Sequence, residues 1–268
     1  MRAWGFFIFP PFCYTNPMQI ISLNTWGGRG GKDTFFDFFR KYKDVDVFCL
    51  QEAWNGGEHM GGKLVGNAAL DKIVFRLVDE VQKILPTYTS YFRPHYGDWY
   101  GLAIFVKKDI KVIDEGEIFV HKERGWASKE DEGNHARNLQ WITMETSAGL
   151  RTIMNFHGLW NGKGKGDSED RLVQSDNIVN FVKSLTTPVI LCGDFNLRPD
   201  TKSLAKIEEL GLRNLIKEYG ITSTRTSMYT KPEKFADYTF VSKEVNVVDF
   251  KILPEEVSDH AAMFIDLA

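Results

Sequence analysis

Four short apolar runs in this chain pass directly into polar residues able to do chemistry, and that repeated break constrains the fold more than any other feature. Ile20-Ile21-Ser22-Leu23 ends in Asn24-Thr25-Trp26, and Val47-Phe48-Cys49-Leu50 ends in Gln51-Glu52. Thr152-Ile153-Met154-Asn155-Phe156 ends in His157-Gly158, and Val189-Ile190-Leu191-Cys192 ends in Gly193-Asp194-Phe195-Asn196. Apolar runs of this length, bounded by polar and glycine residues, read as buried strands. Polar groups at strand ends are held by the sheet, while the loop beyond gives a ligand access. Two further polar clusters, Ala236-Asp237-Tyr238 and Ser258-Asp259-His260, come near the C-terminus.

Between these runs the periodicity alternates. Asp33 is placed to cap a helix whose Phe35, Phe36, Phe38 and Phe39 form an apolar face. Residues 67–85 carry apolar side chains at helical spacing, from Leu70 and Ile73 to Val81 and Ile84, and Pro86 ends the run. The middle is β-rich, with strands expected at 88–92, 101–106, 111–120, 139–145 and 151–156. A helix over 168–185, a strand over 188–192, a short helix over 201–210 and strands over 237–241, 245–252 and 262–267 complete the pattern. Clusters of strands separated by helices predict two packed sheets with helices outside them. No linker divides residues 18–268, so they are expected to form one domain.

Residues 1–17 read as an N-terminal extension. Pro10-Pro11 interrupts its apolar stretch, no small-residue cleavage site follows, and it is too short to span a bilayer. Met18 directly precedes the first strand, which points to a mis-assigned start codon. Nothing later reaches transmembrane length, so no stable membrane anchor is expected. A net charge of −3 and a pI near 6.1 argue against affinity resting on a broad basic surface. The three cysteines, Cys13, Cys49 and Cys192, form no zinc-type spacing and no disulfide pattern, which suits a reducing, cytoplasmic compartment.

The strand-end inventory fits one kind of chemistry. Carboxylate and amide oxygens are hard ligands that suit Mg²⁺, with Mn²⁺ as an alternative. Histidine transfers protons near neutral pH, and asparagine can donate its amide N–H to a phosphate oxygen.

Taken in order, Ile21 to Trp26, Leu50-Gln51-Glu52, Asn155-Phe156-His157, Gly193-Asp194-Phe195-Asn196, Asp237-Tyr238 and Ser258-Asp259-His260 resemble the motifs of the endonuclease/exonuclease/phosphatase superfamily. That superfamily includes pancreatic-type deoxyribonucleases, abasic-site endonucleases, neutral sphingomyelinases and inositol-polyphosphate phosphatases. The resemblance implies a four-layer α/β sandwich, with two mixed β-sheets face to face and helices on both outer sides. It implies an Mg²⁺-dependent hydrolase of phosphate esters acting by in-line attack of water, on a substrate that includes nucleic acid among its alternatives. A sphingomyelinase-like lipid phosphodiesterase and a catalytically inactive binding relative are the other readings. By the same resemblance, Glu52 binds the metal, with Asn24 and Asp259 beside it as metal or water ligands. His157 bonds the scissile phosphate, Asn196 holds the water or a phosphate oxygen, and Asp237 orients His260. Either His260 or Asp194 serves as the base.

Three further residues are candidate substrate contacts. Arg137 precedes the strand at 139–145, Trp160 follows His157 in a loop, and Lys163 lies in the glycine- and lysine-rich stretch 161–167. That stretch reads either as a phosphate cradle built from backbone N–H groups and ammonium charge, or as a plain flexible loop. Tyr100 is a rim candidate.

Overall fold

The computed structural model describes residues 17–61, 64–65, 68–69, 72–130 and 133–268. The expected N-terminal extension up to residue 16, including Cys13, lies outside the described residues. The chain begins with β1 (Met18–Asn24), α1 (Lys32–Lys41), β2 (Val47–Trp54), the short strands β3 (Leu64–Val65) and β4 (Ala68–Ala69), and α2 (Leu77–Ile84). A run of five strands follows: β5 (Tyr88–Tyr96), β6 (Tyr100–Lys107), β7 (Val112–His121), β8 (Arg137–Thr146) and β9 (Gly149–His157). Then come α3 (Glu169–Ser184), β10 (Val189–Asp194), α4 (Lys202–Glu208), β11 (Arg213–Asn214) and α5 (Leu215–Glu218). The last strands are β12 (Asp237–Val241), β13 (Val247–Ile252) and β14 (Met263–Leu267).

The strands make two six-stranded mixed sheets, ordered β13-β14-β1-β2-β6-β5 and β11-β12-β10-β9-β8-β7. Side-chain alternation builds the four layers. In β2, Val47 and Cys49 enter the core shared with the second sheet, which includes Leu139, Ile153 and Leu191. Phe48 and Leu50 point the other way, into a core with the four phenylalanines of α1 and with Leu77, Val78 and Val81 of α2. This two-residue period is what a strand buried on both faces requires. On the far side, Ile178 of α3 and Leu204 and Ile207 of α4 cover the second sheet. The α/β sandwich expected from the resemblance is the observed fold.

One topological detail places the site. Each sheet holds a single parallel pair, β1 with β2 and β9 with β10, among antiparallel neighbours. Parallel strands end at the same edge, so Asn24 lies opposite Gln51, and His157 lies opposite Asp194. β12 runs antiparallel to β10 and starts where β10 ends, which sets Asp237 opposite Asp194.

Two local expectations are corrected. Among its described residues the run 67–85 is helical only at Leu77–Ile84, and Ala68–Ala69 instead pairs with Leu64–Val65, while Leu70 lies outside the described residues. Ile73 and Val74 are drawn into contact with the glycine loop after β1, where Val74 N donates to Gly27 O at 2.9 Å. Tertiary packing overrides the helical spacing there. Asp33 lies inside the first turn of α1 rather than capping it, because Gly31, with φ +119°, takes the N-cap position.

Candidate active site

At the shared edge of the two sheets the motif residues surround a cleft of about 270 Å³. Beneath it, a buried polar bridge ties the sheets together. Gln51 Nε2 donates to Asn155 Oδ1 at 2.7 Å, and Asn155 Nδ2 donates to Leu50 O at 3.0 Å and to Gln140 Oε1 at 3.3 Å. Buried amide hydrogen bonds running from one sheet to the other favour one arrangement of the two, since any slip would break them.

The backbone is bent to aim the side chains. Among the described residues only four besides glycine have positive φ, and three of them, Trp26, Glu52 and Asn196, line the cleft. Such conformations cost about 1–3 kcal/mol each and persist where surrounding structure enforces them. At Glu52 the register between β2 and β6 shifts, turning the carboxylate out of the strand. At Gly193, φ is +141° and an added Cβ would sit 2.0 Å from Phe156 O, so only glycine lets β10 approach β9 there.

Two histidines flank Asp194, with His157 Nε2 at 3.8 Å and His260 Nε2 at 3.6 Å from its Oδ2. Their tautomers follow from their partners. Arg137 Nη1 lies 3.1 Å from His157 Nδ1, and a guanidinium can only donate, so Nδ1 accepts and the ring proton sits on Nε2. Asp237 places its two oxygens 2.8 and 2.9 Å from His260 Nδ1, and a carboxylate accepts, so here the proton sits on Nδ1 and Nε2 is bare. One imidazole therefore offers a donor to the cleft and the other an acceptor.

Burial sets the charge states. It pushes His157 well below the usual imidazole range, with Arg137 adding to the effect, and it pushes His260 down to about 4. Asp237 is raised to about 6, again by burial, against the pull of Arg225 and Lys165. At neutral pH the pair is thus a carboxylate beside a neutral imidazole.

The acidic side is arranged by Asn24. Its Nδ2 donates to Glu52 Oε1 at 3.2 Å and to Asp194 Oδ2 at 3.0 Å, while its Oδ1 accepts from Trp26 N at 3.0 Å. That last bond fixes the amide's orientation, so Asn24 holds two carboxylates by donation, whereas the resemblance casts it as a ligand. Burial raises Glu52 and Asp259, each further raised by neighbouring carboxylates, and Asp259 Oδ1 is buried with no hydrogen-bond partner. Hard carboxylate oxygens lining one cleft, one of them without a partner, fit a small divalent cation. Asp194, Asp237 and His260 also bring ligand atoms within 4.8 Å of one another, but the Asp237–His260 hydrogen bonds already occupy two of the three.

Of the remaining candidates, Arg137, Trp160 and Tyr100 line the cleft. Lys163 is exposed and does not line it; its backbone N–H donates to Asn161 Oδ1 at 3.1 Å. Lys165 lines it instead, buried to 4% exposure, with Nζ donating to Asn196 Oδ1 at 2.7 Å. Stretch 161–167 is a built loop. Arg171 donates to the carbonyls of Leu159, Gly164 and Gly166, and Asp167 accepts from the backbone of Lys202 and Ser203 at the start of α4. Arg225, Tyr229 and Lys231 join the cleft from the loop before β12, and Arg29 and His135 from elsewhere, none of them marked by a motif.

Two mixed six-stranded sheets between helices, with their strand-end groups converging on one cleft, define the α/β-sandwich class of phosphate ester hydrolases. The chain belongs to the Endonuclease/Exonuclease/phosphatase family, whose sequence profile matches residues 21–260. Among curated proteins none matches it. Solved structures do. A functionally unknown conserved protein from Enterococcus faecalis V583 aligns with a TM-score of 0.70 at 18% identity, over 94% of this chain and 99% of the other. The mannosyl-6-phosphatase of Bacteroides thetaiotaomicron VPI-5482 aligns at 0.67 and 18%, over 94% and 99%. D. rerio TDP2 complexed with single strand DNA product aligns at 0.65 and 18%, again over 94% and 99%. At such identities the likeness concerns the fold.

Proposed function

We propose that the protein hydrolyses phosphate ester bonds by direct in-line attack of water in this cleft, with Mg²⁺ as its metal and Mn²⁺ as the alternative. The observation that carries the reading is the opposed pair of tautomers, a donor on His157 and an acceptor on His260, on either side of Asp194.

Each residue then has a task its geometry suits. His260 Nε2 accepts a proton from the water as its oxygen bonds to phosphorus and the ester P–O bond breaks. Asp237 keeps that nitrogen bare and stabilises the imidazolium that forms. Asp194, within reach of both rings, orients the water. His157 Nε2–H donates to a non-bridging phosphate oxygen. Asn196 spends one amide N–H on Gly158 O and has a second for the phosphate. Glu52 and Asp259 are the residues that would hold the metal, and Asn24 keeps Glu52 and Asp194 in place. When bound, the ion neutralises charge on the phosphoryl oxygens.

No described helix is long and apolar enough to cross a membrane. A panel assay tests the reading. Purified protein with Mg²⁺ is given abasic duplex, single-stranded DNA, RNA, phosphoinositides, sphingomyelin, sugar phosphates, p-nitrophenyl phosphate and bis-p-nitrophenyl phosphate. Hydrolysis of at least one is expected, sharply reduced in Glu52→Gln at the same Mg²⁺ concentration. Inactivity across the panel would overturn the reading and favour a binding role.

A further inference from the structure

The end of the cleft beside Trp160 is more cationic than hydrolysis of a single phosphate requires. Arg29, Arg137, Lys165, Arg225 and Lys231 line the cleft together with Glu52, Asp194 and Asp259, in a chain whose overall charge is −3. Three of the cations gather at one end. Lys165 Nζ lies 5.8 Å and Lys231 Nζ 5.2 Å from the centre of the Trp160 ring, and the Arg225 guanidinium lies 4.0 Å over Tyr229.

Lys165 is the decisive residue. A buried ammonium is costly unless it is paired, yet among the described residues no carboxylate lies within ion-pair distance of Lys165 or of Lys231. Among the described residues the one hydrogen-bond acceptor of the Lys165 ammonium is the neutral amide oxygen of Asn196, which leaves ammonium N–H donors unspent. Arg225, with a side chain only 6% exposed, reaches Asp259 at 3.3 Å but has a buried Nε with no partner. The loop carrying Lys165 is held by Arg171 and Asp167, and Arg198 N donates to Lys165 O at 2.9 Å. The ammonium is therefore presented by a rigid support, before any ligand arrives.

We infer that the Trp160 end of the cleft is a second anion site, and that the substrate carries a second phosphate or equivalent anion gripped by Lys165, Arg225 and Lys231. This rests on the hydrolase reading above and adds the substrate's charge pattern to it. The scissile phosphate has its own donors in His157, Asn196 and Arg137. The second anion completes the unspent donors of Lys165 and Arg225 by charge-assisted hydrogen bonds, while the rings of Trp160 and Tyr229 wall it from water.

The test uses alkane-α,ω-bisphosphonates with one to four methylenes, compared with alkylphosphonates of matched length. They have no ester to cleave, and the series scans the spacing between the two anions. Binding to the full chain in Mg²⁺ is measured by calorimetry, corrected for metal binding by the probes themselves. At least one bisphosphonate is expected to bind about tenfold or more tighter than its matched monophosphonate, as a charge-assisted hydrogen bond in a buried site provides. Lys165→Gln should remove about tenfold of that preference, and Lys231→Gln, a surface residue whose loss leaves the fold intact, about two- to fivefold. In Lys231→Gln the monophosphonate affinity should hold. Equal binding of the two series to the wild type, or a preference that survives both substitutions, overturns the inference. Turnover on the substrate panel is read separately. Bisphosphonate preference without any hydrolysis refutes the hydrolase reading and leaves the anion site standing, and hydrolysis without the preference does the reverse.

Discussion

Replacing Asp237 by asparagine changes almost nothing in shape and should nearly abolish turnover. Both Asp237 oxygens lie within 2.9 Å of His260 Nδ1, and both side chains are almost wholly buried, so no water can take over the role. The asparagine can turn its NH₂ toward Nδ1, which drives the ring proton to Nε2. That nitrogen is 3.6 Å from Asp194 Oδ2, so the altered tautomer gains a carboxylate partner and is held there. His260 then offers a donor where an acceptor is needed. Proton-transfer groups contribute about 10²–10⁴-fold, and the same substitution in the serine-protease triad costs about 10⁴. The loss should therefore fall near the upper end, in kcat rather than KM, because the group acts as the barrier is crossed. The assay is kcat on an active panel substrate for Asp237→Asn, His260→Ala and the double variant. If the pair acts as a unit, the double variant is scarcely worse than His260→Ala alone. A double loss equal to the product of the single losses would refute the coupling. So would an Asp237→Asn enzyme retaining more than about a tenth of the wild-type kcat, since that lies below any general acid–base contribution.

Three other outcomes are expected. EDTA should stop turnover and Mg²⁺ should restore it, with Glu52→Gln requiring much more Mg²⁺; full activity in EDTA would sink the metal assignment. Gly193→Ala should destabilise the fold by more than about 3 kcal/mol, because its Cβ meets Phe156 O at 2.0 Å in a backbone conformation of φ +141°. A melting temperature within about 3 °C of the wild type, less than 1–2 kcal/mol at this chain length, would contradict that contact. His95 is buried against Asn138 and held down to about 3 by burial and by Arg137, so the folded state resists its protonation. Its stabilising contribution is complete above pH 6.5 and is lost as pH falls from there toward 3, at up to about 1.4 kcal/mol per pH unit. Denaturant titrations should show a shallower loss between pH 6.5 and 4.5 in His95→Asn than in the wild type, and parallel curves would rule His95 out.

Much of this protein was legible in one dimension. That Val47 and Phe48 face opposite sides of their sheet follows from strand alternation, and the polar residue where an apolar run gives out, at Glu52, His157 or Asp194, belongs near the edge of the sheet. Both are local properties of the backbone, which is why the motifs and the layers could be read directly. The sequence could not say that Ile73 and Val74 leave the helical spacing, since their contacts with a distant glycine loop decide it. Nor could it choose between Lys163 and Lys165. The two share composition and neighbours, and only the clamp from Arg171 and the hydrogen bond to Asn196 turn one inward and leave the other in solvent. The tautomers of His157 and His260 belong to the same category. Each is set by a partner on another strand or loop, Arg137 or Asp237, and long-range partners exist only once the two sheets have closed on each other.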